Sequence, residues 1–80
     1  MITSIDAQAE VLRRYPNATI IRGFIYKGTD YVFGISEGVE DDVSTSYFAI
    51  SKETGKFRSI SPMEDITGFF KDMGDHPLKV

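Results

Sequence analysis

The segment that most constrains the fold is TIIRGFIYKGTDYVFGIS, residues 19–36, where two β-rich runs meet at Lys27-Gly28-Thr29-Asp30. Gly28 suits the first central position of a tight type II′ turn, so the two runs read as one antiparallel hairpin. Folding at Gly28-Thr29 sets Lys27 opposite Asp30, Tyr26 opposite Tyr31, Ile25 opposite Val32, Phe24 opposite Phe33 and Gly23 opposite Gly34. In that register Phe24, Tyr26, Tyr31 and Phe33 share one face, while Ile21, Ile25 and Val32 surround two facing glycines on the other.

A second hairpin follows. Tyr47 to Ser51 and Lys56 to Ile60 are β-type runs, and Lys52-Glu53-Thr54-Gly55 between them fits a type I turn with Gly55 in the left-handed position. The expected register places Phe48 opposite Ile60, Ile50 opposite Arg58 and Ser51 opposite Phe57. A Walker-type phosphate loop would need a second glycine five residues before Gly55 and a helix after it, and this stretch has neither.

Helices flank the hairpins. Thr3 and Asp6 have capping-box spacing, Ile5, Ala9 and Leu12 recur on one face, and Pro16 stops the first helix with Arg13 and Arg14 in its last turn. Ser61-Pro62-Met63-Glu64 reads as the N-terminus of a second helix. Ile66, Phe69, Phe70 and Met73 form its apolar stripe, and Gly74 and Pro77 its stop. Residues 75–80 read as a frayed tail.

The expectation is therefore one α+β domain over residues 1–80: helix, two β-hairpins forming a four-stranded antiparallel sheet, and a C-terminal helix. It is two-layered, with both helices on one face. Eighty residues without cysteine must stabilise themselves by their core or by an oligomer interface. The core is expected to hold Ile5, Ala9, Leu12, Ile21, Ile25, Val32, Phe48, Ile50, Ile60, Ile66, Phe69, Phe70 and Met73.

Little in the chain speaks for chemistry. His76 is the single histidine, which rules out a triad or a multi-histidine metal site within one chain. The net charge of −3 argues against a phosphate-backbone binder. Arg13 and Arg14 read as a solvated helix end. No catalytic, cofactor-binding or metal-ligating residue is expected, and the protein reads as a non-enzyme. No stretch approaches the ~18 apolar residues of a membrane helix, nor does the N-terminus look like a secretory signal, so a cytoplasmic protein is the expectation.

Two features remain for contact with other molecules. If both helices cover one face of the sheet, the face carrying Phe24, Tyr26, Tyr31 and Phe33 is left for another protein or a second copy of the chain; otherwise these four residues are core. Glu37, Glu40, Asp41 and Asp42 put four carboxylates in six residues. They lack the ligand alternation of a calcium loop and read as a solvated connection or as a contact for a basic partner.

The ending YFAISKETGKFRSISPMEDITGFF resembles the C-terminal half of small proteins of tailed bacteriophages and prophages, in which a strand leads through a Lys-x-Thr-Gly turn and a short strand to Ser-Pro and an amphipathic helix. The resemblance covers about half the chain. It implies a phage or prophage accessory protein acting through protein contacts in virion structure or assembly, in the bacterial host cytoplasm or in the virion. In outline the chain is also similar to the YrhB-like immunity proteins, which would imply neutralisation of a toxin by surface complementarity, with the acidic loop facing a basic enzyme. Neither resemblance brings a catalytic residue that could be carried over, and no cofactor, nucleic-acid partner or membrane is expected for the chain.

Overall fold

A computed structural model describes residues 1–36 and 46–79. In chain order the elements are α1 (Ser4–Arg14), β1 (Thr19–Tyr26), β2 (Asp30–Ser36), β3 (Ser46–Ser51), β4 (Phe57–Ile60), a 3-10 turn (Pro62–Glu64) and α2 (Ile66–Asp75). The strands form one antiparallel sheet in the order β1-β2-β3-β4. This is the expected α+β fold, in the expected order of helix, hairpin, hairpin and helix.

The register differs from expectation by one residue in both hairpins. In the first, Tyr26 pairs with Asp30, Ile25 with Tyr31, Phe24 with Val32 and Gly23 with Phe33. The turn holds three residues rather than two, with Lys27 and Gly28 both left-handed at φ 54° and 70° and the Thr29 N–H bonded to the Tyr26 carbonyl at 3.1 Å. Two consecutive left-handed residues are the signature of a type I′ turn. Asp72 of α2 fixes this unusual lysine by accepting a hydrogen bond from its backbone N–H at 2.9 Å. In the second hairpin Ile50 pairs with Phe57 and Tyr47 with Ile60, around a four-residue turn. Gly55 takes the expected left-handed conformation at φ 73°.

A slip of one residue in a hairpin redistributes its side chains between faces. The expected aromatic face is therefore split. Tyr31, Phe33, Ile35, Phe48 and Ile50 face α1, where they bury Ala7 and Val11. Phe24, Tyr26, Val32, Ala49 and Ile60 face α2, where they bury Phe69. Neighbours such as Val32 and Phe33 point to opposite sides, so the helices lie on opposite faces of the sheet instead of sharing one.

Gly23 and Gly34 do not face each other either, since Gly34 pairs with Arg22. A bulge between Ile20 and Arg22 changes the alternation, bringing Ile20 opposite Ile35 and onto the α1 side. Ile21, within the bulge, is exposed rather than core.

Thr3 caps α1 as its spacing implies, with both capping-box hydrogen bonds at 3.1 Å. The face turned inward is Ala7 and Val11, followed by the half-buried Tyr15, while Ile5, Ala9 and Leu12 look outward. Small residues face the sheet because Tyr31, Phe33 and Phe48 already fill that space with aromatic bulk.

The second helix begins later than its Ser-Pro signal suggests. Ser61 accepts from the Met63 N–H at 3.2 Å and caps only a 3-10 turn. Asp65 is the N-cap of α2, accepting from the Gly68 N–H at 3.1 Å. Gly74 lies inside α2 and is not left-handed, so it is no terminator.

Part of the expected tail runs along β1. The Ile25 N–H donates to the His76 carbonyl at 3.0 Å and the Leu78 N–H to the Gly23 carbonyl at 2.8 Å. Pro77 thereby stands opposite Phe24 on the outer edge of β1, and Leu78 packs against the α1-side core.

Candidate contact surface

The four hairpin aromatics, expected to be either core or a contact face, are all interior. Phe24 and Phe33 are fully buried, Tyr26 is 2 % exposed and Tyr31 8 %. Phe69 of α2 sits at the centre of one aromatic cluster, with ring centroids 5.0 Å from Phe24, 5.7 Å from Tyr26 and 5.0 Å from Tyr47. Edge-on approaches such as Phe69 to Phe24, at 84°, place positive ring edges on negative faces. On the α1 side, Phe48 stacks on Tyr15 at 5.0 Å and on Phe57 at 5.1 Å. Glu37, Glu40, Asp41 and Asp42 lie outside the described residues.

Several exposed apolar side chains lie on the outer sides of the two helices. Ile66 is 49 % and Phe70 50 % exposed, one turn apart on α2, with Met63 exposed just before that helix. On α1, Ile5 and Leu12 are exposed, two turns apart around the exposed Ala9. Ile5, Ala9, Leu12, Ile66 and Phe70 were all expected in the core. The stripe on α2 divides because residues advance by about 100° each in a helix, which puts Asp72 on the far side of Phe69 from Phe70. Asp72 lies on the side turned toward the first hairpin, Phe69 is buried with Met73 packed against the same cluster, and Ile66 and Phe70 are half exposed.

Two shallow depressions lie among the described residues. A depression of about 280 Å3 follows α1 and is lined by Arg14, Tyr15, Pro16, Asn17 and Ala18. Another of about 250 Å3 lies between the two hairpin tips and Met1, beside Gly28, Thr29, Lys52 and Glu53. Among the described residues no cluster of His, Asp or Glu is arranged to hold a metal ion. No charged or polar side chain among the described residues is buried.

The pair Arg13 and Arg14 forms no open basic patch. Both guanidinium groups reach Glu10, at 2.5 and 2.7 Å, and that of Arg14 also lies 4.2 Å from the Phe57 ring centre. These hydrogen bonds, from Arg13 first and Arg14 second, hold the Glu10 carboxyl below its ordinary value. The same partner raises Arg13. Arg58 is likewise committed to Asp30 at 3.2 Å.

No protein-family model, curated protein or solved structure matches this chain. No helix among the described residues is long and apolar enough to cross a membrane.

Proposed function

We propose that this chain is a non-enzymatic accessory protein of a tailed phage or prophage, acting by docking on another protein in the host cytoplasm or in the virion. The observation that supports docking is the outer side of α2, where Ile66 and Phe70 stand half exposed beside Met63. Aromatic and methionine side chains are enriched at protein interfaces, and burying them on a partner recovers free energy that the isolated domain leaves unused. The phage setting is carried by the resemblance of residues 47–70 to such proteins.

Co-expression with the products of the genes on either side tests both parts. The expected result is a stoichiometric complex with one neighbouring product, itself a head, tail or assembly protein. Phe70→Ser should abolish the complex while leaving the circular dichroism spectrum unchanged. A complex that is indifferent to Phe70→Ser and Ile66→Ser would remove α2 as the docking face. A toxin as the neighbouring partner would replace the phage reading with that of an immunity protein.

A further inference from the structure

The C-terminal residues 76–78 do more than end the chain. They cover the outer edge of β1, the first strand of the sheet, with one hydrogen bond from Ile25 and one to Gly23. An uncovered edge strand is a template for pairing with another chain. The choice of residue matters: Pro77 stands opposite Phe24 and has no N–H of its own. A further strand adding outside this segment would meet no donor there.

The groups that the segment occupies are self-complementary. If Phe24 of one copy stands opposite Phe24 of a second in antiparallel pairing, the Ile25 N–H of each copy meets the Gly23 carbonyl of the other. These are the donor and the acceptor now satisfied by His76 and Leu78. Two backbone hydrogen bonds to β1 and one half-buried leucine hold the segment to the sheet, with a third bond tying the His76 N–H to the Asp72 carbonyl at the end of α2, a weak attachment compared with the strands inside the sheet.

We infer that residues 76–78 form a strap over a latent self-association edge: when the strap lifts, two copies pair through β1, antiparallel about Phe24, and join their four-stranded sheets into one of eight. This contact uses backbone groups of β1 and is independent of the α2 side chains invoked above. The strap is the switch between the two states, because strap and second copy compete for the same two groups.

Leu78→Ser, which weakens the apolar anchor and leaves the backbone of the strap intact, provides the test. Amide exchange at Ile25 and sedimentation mass are read together over a range of concentrations. In the wild-type chain the Ile25 amide is expected to be protected at every concentration. In the variant it should exchange at least about tenfold faster when dilute. At high concentration it should become protected again, as the mass doubles relative to the wild-type chain at the same concentration.

A variant whose mass never rises above that of the wild type while its Ile25 amide is open would overturn the proposal. So would a dimer in which that amide stays open. If Leu78→Ser leaves the amide protected in the monomer, a chain ending at Asp75 decides by the same two readings. Failure of that shorter chain to fold would also overturn the proposal, since the segment would then be an integral strand and not a strap.

Discussion

The carboxylate of Asp72 in α2 accepts a hydrogen bond from the backbone N–H of Lys27 at 2.9 Å, joining the last helix to the tip of the first hairpin. Lys27 is left-handed, and among the described residues no other non-glycine residue has positive φ. A lysine bears a steric cost in that region which glycine avoids. Asp72→Ala is expected to destabilise the protein by about 1 kcal/mol, the usual net worth of such a hydrogen bond. Lys27→Gly relieves the backbone but enlarges the freedom of the unfolded chain, so a net gain of no more than about 1 kcal/mol is expected. Urea denaturation of both variants checks the pair of signs, and a destabilising Lys27→Gly would show that the lysine side chain, which lies 5.1 Å from the Tyr26 ring centre, matters more than its backbone.

That contact also explains which part of the fold was legible in the sequence. Strand and helix positions, the Thr3 capping box and the left-handed Gly55 are local properties, and local pattern located them. The register of the first hairpin is not local. Gly28 alone argues for a two-residue turn, but a carboxylate 45 residues away stabilises Lys27 in a three-residue one. With the slip, Tyr31 and Phe33 turn from Phe24 and Tyr26 to the opposite side, which changes four candidate contact residues into two halves of the core. The apolar stripe of α2 was equally visible, but its division between Phe69 and Phe70 depends on tertiary packing, with Phe69 set among Phe24, Tyr26 and Tyr47.

Two glycines of α2 should respond oppositely to alanine. Gly74 has open space around the position of an added Cβ, so Gly74→Ala is expected to stabilise by about 0.5–1 kcal/mol through helix propensity. At Gly68 an added Cβ would press on the Asp65 carboxylate, only 2.9 Å from its Cγ, and displace the cap. Gly68→Ala should therefore fail to stabilise, because loss of an N-cap costs about 1 kcal/mol and offsets the propensity gain. In an Asp65→Ala background the cap is already gone, and the same substitution should recover a gain of about 0.5–1 kcal/mol. Equal effects of Gly68→Ala in both backgrounds would contradict the coupling.

The acid limb of stability should carry a contribution from Glu10. Its carboxyl is held below the ordinary 4.5 by hydrogen bonds from Arg13 and Arg14 in the folded chain. A depressed folded value means that the contribution is present above 4.5 and is lost as pH falls through the lower folded value. The ion pairs lie at the surface, where salt screens them, so the effect is small. Glu10→Gln should flatten this part of the acid dependence at low ionic strength and leave stability at high salt almost unchanged. An acid limb identical to that of the wild type would remove the ion pairs from the account.

Two adjacent phenylalanines mark the division of α2 between a side that belongs to the sheet and the outer side proposed as a docking face. Phe69 is fully buried among Phe24, Tyr26 and Tyr47, whereas Phe70 is 50 % exposed. Equilibrium urea denaturation of Phe69→Ala and Phe70→Ala compares them in one measurement. The expected loss is about 3–5 kcal/mol for Phe69→Ala, enough to unfold much of so small a domain, and less than about 1.5 kcal/mol for Phe70→Ala. Equal losses, or the larger loss at Phe70, would contradict the orientation of α2 and with it the assignment of its outer side to a protein partner.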